Sequence, residues 1–95
     1  MGKYELMFIL SADLDDASRK ADIEKLHKIL TDNKGVVRDS KEMGVREFAS
    51  PIHDLKKGFY VVEKISADNA CLEEFKRLIR LDNLVIRFLI TVDKD

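Results

Sequence analysis

The side chains best suited to catalysis are few and widely separated in this sequence. Of the two histidines, His27 lies in a segment with helical spacing and His53 lies in a predicted loop. The single cysteine, Cys71, belongs to an apolar helical stripe, where a buried, reduced and unreactive thiol is expected. No motif pairs a histidine with a serine or cysteine nucleophile, so the sequence predicts neither an enzyme nor a small-molecule substrate.

Metal and cofactor chemistry has equally little support. The acidic segment from Asp13 to Asp16 lacks the glycine and the distal glutamate of a calcium loop, and it is better suited to start a helix. Cysteine and histidine pairs at zinc-binding spacing are absent, as are the glycine patterns that bind nucleotide phosphates. We therefore expect no metal ion and no cofactor.

One segment partly matches an RNA-binding signature. In KGFYVVEK, residues 57–64, Lys57, Gly58, Phe59 and Val62 fit the RNA-recognition-motif pattern. Two of the aromatic residues that would stack on bases are missing, so an ordinary strand after a glycine turn explains the segment better. Any contact with RNA is then expected to come from basic side chains that touch phosphates.

Charge and length limit the function further. The chain has 17 lysines and arginines against 18 acidic residues, a formal net charge of −1 over 95 residues. This predicts one domain, residues 1–95, that binds RNA only through a local patch or with a basic partner. One cysteine permits no intrachain disulfide and favours a reducing compartment. The N-terminal apolar run is too short to span a membrane, so a cytoplasmic location without membrane contact is predicted.

Hydrophobic periodicity predicts four strands and two helices. Alternating apolar residues indicate strands near residues 3–10, 36–52, 59–65 and 84–92. Helical spacing predicts a first helix over about residues 15–33 and a second that follows residues 66–70. HDLKKG, residues 53–58, is the predicted turn between the second and third strands. Gly44 predicts a bulge in the second strand, and Pro51 predicts an edge position or a strand end.

This order is β-α-β-β-α-β, that of the α+β ferredoxin-like fold, in which two helices cover one face of a four-stranded antiparallel sheet. The other face should expose the apolar residues Met7, Ile9 and Leu89, which favours a protein partner there. The predicted core residues are Leu6, Phe8, Leu10, Ile23, Leu26, Leu30, Leu72, Phe75, Ile79, Phe88 and Ile90.

Four segments in this order resemble the bacterial small-subunit ribosomal protein six family, over about residues 3–92. They are KYELMFIL with ADLD, the spaced residues of GxRxxAxPI at 44–52, KKGFYVV and RLDNLVIRFLI. The resemblance implies a structural protein of the cytoplasmic ribosome. Such a protein binds the central domain of small-subunit ribosomal RNA together with small-subunit ribosomal protein eighteen, a basic partner.

The resemblance also implies contact residues. Three departures from the family pattern, Glu47, Ser50 and Ile86, weaken the expected RNA patch, because the family usually has a basic residue, a tyrosine and often a basic residue there. Met7, Ile9 and Leu89 are the expected partner contacts. By position the RNA contacts are Lys3, Tyr4, Arg46, Arg80 and Arg87, to which the basic turn adds Lys56 and Lys57.

Two other functions fit the same fold class. A regulatory or ligand-binding module that self-associates through the open sheet would need a ligand pocket, and no glycine-rich loop indicates one. An acylphosphatase-type enzyme would need an arginine in a glycine-rich phosphate loop after the first strand. This chain instead has the acidic segment SADLDD, residues 11–16, which would repel phosphate.

Overall fold

The computed structural model describes residues 1–52 and 54–93. The strands form one antiparallel sheet in the order β2-β3-β1-β4, and both helices pack on the same face of it. The predicted α+β ferredoxin-like fold is confirmed. The elements are β1 (Gly2–Ser11), α1 (Asp16–Asp32), β2 (Val36–Ile52), β3 (Leu55–Ala67), α2 (Asn69–Ile79) and β4 (Val85–Val92).

Each helix begins beside an aspartate that accepts a backbone hydrogen bond. Asp15 Oδ1 accepts from the Ser18 amide at 2.7 Å, and Asp68 Oδ1 accepts from the Cys71 amide at 2.8 Å. These bonds satisfy amides that the first turn of a helix leaves without partners. Hydrogen bonds from Ser18 also lower the pKa of Asp15 below its usual value. The SADLDD segment therefore starts a helix, as predicted.

The core lies between the helices and the sheet. The predicted core residues of β1 and both helices are buried, whereas Phe88 and Ile90 of β4 are only half-buried. Since β4 is an edge strand, it has a neighbour on one side only, and its side chains are less completely covered. The central strand β3 adds core residues that the prediction omitted: Phe59, Val61, Ile65 and Ala67.

The hairpin that joins β2 and β3 is longer than predicted. Strand β3 already begins at Leu55, so the predicted turn over residues 53–58 is wrong from residue 55 onward. Lys57 pairs with Glu47, and Leu55 pairs with Ile52. The first three residues of β3, Leu55, Lys56 and Lys57, are exposed at this end of the hairpin. The strand therefore includes the two lysines without burying their charges in the core. His53 lies outside the described residues.

Candidate nucleic-acid interface

The face of the sheet that points away from the helices, called the open face below, concentrates positive charge. Among the described residues that pair in the sheet, five cations and two carboxylates, Glu5 and Asp39, lie on this face, a net charge of +3. Because the whole chain has a formal net charge of −1, the rest of it carries −4. A local concentration of cations of this kind attracts polyanions. The cations are Lys3, Lys41, Arg46, Lys64 and Arg87.

A bulge in β2 determines which face Arg46 occupies. Glu42 pairs with Val61 on the helix side, and the next paired residue is Gly44, opposite Tyr60 on the open face. The extra residue between them reverses the alternation, so Arg46 lies on the open face instead of facing the helices. Gly44 has a φ of 91°, a conformation that favours glycine. The predicted bulge is confirmed, and it gives Gly44 a role in presenting Arg46.

An aromatic pair covers one part of the open face. The rings of Phe48 and Tyr60 lie 6.2 Å apart at an angle of 57°. A Cβ at Gly58 would collide with Ile9 and would lie 2.9 Å from Phe48, so glycine is needed for this close packing. Ile9 is 3% exposed as a result. The expected exposure of Ile9 to a partner is therefore wrong, since side chains of the same chain cover it.

The predicted RNA contacts do not form one compact patch. Lys3 pairs with Ser66, whereas Arg46 pairs with Gly58 at the other end of β3. Eight residues of extended strand separate those positions by about 26 Å. Tyr4 lies on the helix side, half-buried against the core, so it does not share the open face with Lys3.

The remaining predicted RNA contacts divide between three places. Arg87 lies on the open face, opposite Ile9. Lys56 and Lys57 are exposed on the β2–β3 hairpin. Arg80 follows α2, with its guanidinium carbon 5.8 Å from the centroid of the Phe88 ring, and this ring packs on the helix side. The structure therefore brings Arg46 and Arg87 to one face and leaves Arg80 off it.

Two cations of the open face are absent from the predicted RNA contacts: Lys64 was missed, and Lys41 was expected only to flank this face. Lys41 pairs with Val62, and Lys64 pairs with Asp39 and with Glu5. The signal for Lys64 was present, because it alternates with core residues of β3. The position of Lys41 on this face depends on the pairing register of β2, whose irregularities near Arg38 and Met43 conceal the alternation.

The other two predicted partner contacts, Met7 and Leu89, differ in their exposure to solvent. Met7 is half-buried between Val62 and Leu89. Leu89 is 54% exposed on the edge strand β4, and Val92 of the same strand is 66% exposed. An edge strand also leaves one row of backbone groups unpaired. The edge at β4 is thus one apolar part of the sheet that is open to another protein, and the opposite edge strand, β2, also exposes apolar side chains.

The helix side of the sheet holds ionisable groups that the sequence did not indicate as a set. Glu63 of β3 is fully buried and is hydrogen-bonded to His27 of α1 and to Ser40 of β2. Asp22 of α1 and Asp82, in the turn before β4, are buried together. Alternation with Val61 and Ile65 was a signal for the buried position of Glu63. None of these groups lies on the open face.

Cys71 has the environment of a structural thiol. It is 1% exposed, and burial raises its thiol pKa, with a further contribution from the charge of Asp68. Among residues 1–52 and 54–93, no three histidine, cysteine, aspartate or glutamate side chains are grouped to hold a metal ion. Within the same ranges, no helix is long and apolar enough to cross a bilayer.

The chain matches one protein-family model, that of ribosomal protein S6, over residues 3–92. It is 40% identical over 94 residues to the small ribosomal subunit protein bS6 of Exiguobacterium sibiricum, with 99% of each chain covered. The identity to the protein of the same name from Halalkalibacterium halodurans is 38% over 95 residues, with 100% of each chain covered.

A solved structure agrees with these matches. The crystal structure of 30S ribosomal protein S6 from Thermotoga maritima superposes with a TM-score of 0.91 at 28% identity, covering 97% of this chain and 87% of that chain. Fold, family model and full-length relatives coincide. The chain therefore belongs to the ribosomal protein S6 family, a family of structural ribosomal proteins rather than of enzymes.

Proposed function

We propose that the chain is a structural constituent of the small subunit of the cytoplasmic ribosome. In this proposal it binds the central domain of small-subunit ribosomal RNA through its open face, together with small-subunit ribosomal protein eighteen. The observation that supports it best is the net charge of +3 on the open face of a chain whose overall charge is −1. Cations spread along a sheet suit contacts to phosphates, which orient a protein on RNA without reading its sequence.

The aromatic pair on the open face adds little base recognition. Phe48 and Tyr60 pack against each other and over Gly58, so their faces are partly used within the protein. Stacking of bases on aromatic side chains therefore contributes less here than in a protein with free rings. RNA binding in this proposal depends mainly on charge, and it should weaken steeply with added salt.

The need for a partner follows from the same charges. Beyond the open face the chain carries −4, so its long-range field does not attract RNA strongly. A basic protein bound along β4 would cover Leu89 and Val92 and would make the joint surface positive. Partner addition at an edge strand is a recurrent mode of association. The chain alone is thus expected to bind RNA weakly.

The test is a filter-binding titration on a central-domain RNA fragment. The chain, the basic partner and their equimolar mixture are each measured at several salt concentrations. We expect weak binding by the chain alone and tight, strongly salt-dependent binding by the mixture. Leu89→Asp should remove the gain that the mixture gives, while Leu81→Asp, a charge at an exposed site outside the sheet, should retain it. Tight binding by the chain alone would contradict the partner-dependent model.

A further inference from the structure

Strand β3 puts a carboxylate into the core beneath α1. The Glu63 side chain is 0% exposed, and its Oε2 accepts a hydrogen bond from Ser40 Oγ at 2.6 Å. The same oxygen is hydrogen-bonded to His27 Nε2, whereas Oε1 has no hydrogen-bond partner. A buried carboxylate that lacks part of its hydrogen bonding is costly unless a positive charge compensates it. His27 is the group in contact with Glu63 that can provide this charge.

A second buried acidic contact lies elsewhere around α1. Asp22 is five residues before His27, or about 140° around the helix. Its side chain is 4% exposed and interacts with that of Asp82, which is 2% exposed, and one buried oxygen of each carboxyl has no hydrogen-bond partner. Lys25 Nζ is 3.7 Å from Asp22 Oδ1 and 3.4 Å from Asp82 Oδ2. Two carboxylates this close and this buried favour a shared proton over two negative charges.

We propose that α1 is docked onto the fold in a proton-dependent way, through an imidazolium–carboxylate pair between His27 and Glu63 and a shared proton between Asp22 and Asp82. Both contacts join α1 to other elements: the first to β3 and the second to the turn that precedes β4. Loss of either proton weakens the attachment of α1. The protein is then a pH-responsive structure near neutral pH, a property independent of its RNA contacts.

The groups that surround His27 favour its protonated form. The hydrogen bond to Glu63 raises the His27 pKa and outweighs burial, which lowers it. The negative charges of Glu63 and of Glu24 act in the same direction. Because the pKa is raised in the folded state, its stabilising effect is complete below the unfolded pKa and is lost as pH rises through the folded one. The other charged groups at the adjoining cleft are Lys20 of α1 and Glu42 of β2.

Asp22 changes stability in the same direction. Burial raises its pKa to about 6, to which the hydrogen bond and charge of Asp82 add, while Lys25 opposes the shift. The neutral carboxyl is therefore favoured by folding, and its contribution is lost as pH rises from about 4 to about 6. As pH rises, the contact between Asp22 and Asp82 weakens first, and the contact between His27 and Glu63 weakens at higher pH.

These two steps have a structural consequence. A cleft of about 320 Å³ lies between α1 and β2, with His27 and Ser40 in its lining. The His27–Glu63–Ser40 contacts cross beside this cleft, so weakening them frees α1 to move relative to β2. We expect α1 to be the helix whose protection from hydrogen exchange falls first as pH rises. The cleft is lined by Lys20, Ile23, Glu24, His27, Ser40 and Glu42.

The test combines urea unfolding with NMR. Unfolding of the wild type, His27→Gln and Asp22→Asn is measured from pH 4 to pH 9, with Asp32→Asn, an exposed site on the same helix, as the control. Relative to Asp22→Asn, the wild-type folding constant should fall by up to about a hundredfold across this range, because Asp22 releases its proton near pH 6 instead of 3.8. His27→Gln should lose the decline above pH 6. Asp32→Asn should follow the wild type.

Direct titration keeps the proposal testable if a variant fails to fold. The His27 ring resonance of the native protein, assigned with a His53→Gln variant, should titrate above the pKa of an unstructured histidine. Titration of His27 at or below that pKa would overturn the first contact. Identical pH dependence of Asp22→Asn and the wild type would overturn the second.

Discussion

The two faces of the sheet differ most clearly at two consecutive residues of β3. Glu63 points toward the helices, where it is fully buried and bonded to His27 and Ser40. Lys64 points the other way, onto the open face between Asp39 and Glu5. The alternation of a strand thus separates two acid–base environments by one residue. On the helix side charge is buried and controlled by protons, and on the open face it is available to a polyanion.

The bulge in β2 shows that a single extra residue can change which side chains lie on each face of the sheet. One extra residue beside Gly44 moves Arg46 onto the open face and Val45 onto the helix side. A register shift of one residue reverses the face of every side chain that follows it. The cation content of the open face is therefore set by backbone irregularities as much as by the number of basic residues.

Thiol labelling should show the largest difference between the two faces. Cys71 lies on the helix side at 1% exposure, so a thiol reagent should reach it mainly through unfolding. We expect labelling slowed by about a thousandfold or more relative to the protein in denaturant. A Cys71→Ala/Leu89→Cys variant, with its thiol on the open face, should react quickly under native conditions. Fast labelling of native Cys71 would contradict this division.

Truncation of side chains on the two faces should differ in its cost to stability. Phe75 of α2 is 0% exposed, so Phe75→Ala should cost about 3–5 kcal/mol of unfolding free energy. Leu89 is 54% exposed, so Leu89→Ala should cost less than about 1 kcal/mol. Urea unfolding measures both. A large loss from Leu89→Ala would mean that this residue serves the fold and not a partner.

The fold could be predicted from the sequence because its signals are local. Apolar alternation in β1, helical spacing around Leu26 and the aspartates before each helix all gave elements that the structure has. Pairing register is not local, so the predicted RNA contacts omitted Lys41 and Lys64, and Ile9 was treated as exposed. Phe48, which packs over Gly58 beside Ile9, is 39 residues away from Ile9 in the chain. No alternation within β1 indicates such a contact.

The buried acid–base pairs could not be predicted for a similar reason. His27 and Glu63 are 36 residues apart in the chain. The local pattern around each residue does not indicate that the other is its partner. Asp22 and Asp82 meet only because α1 packs beside the turn after α2. The resemblance to a ribosomal protein family supplied an expected function, but it did not indicate these pairs.

The role of the open face in RNA binding is tested most directly by a charge-matched pair of variants. Lys41→Gln/Arg46→Gln removes two cations from the open face, and Lys28→Gln/Arg77→Gln removes two exposed cations from the helices. Both are titrated, with the basic partner, on the central-domain RNA fragment across a range of salt concentrations. We predict that the open-face variant lowers the salt slope by about two and weakens binding on all RNA sequences alike, while the helix variant keeps the wild-type slope. Equal losses in the two variants, or a loss in the helix variant alone, would contradict the assignment of RNA binding to the open face.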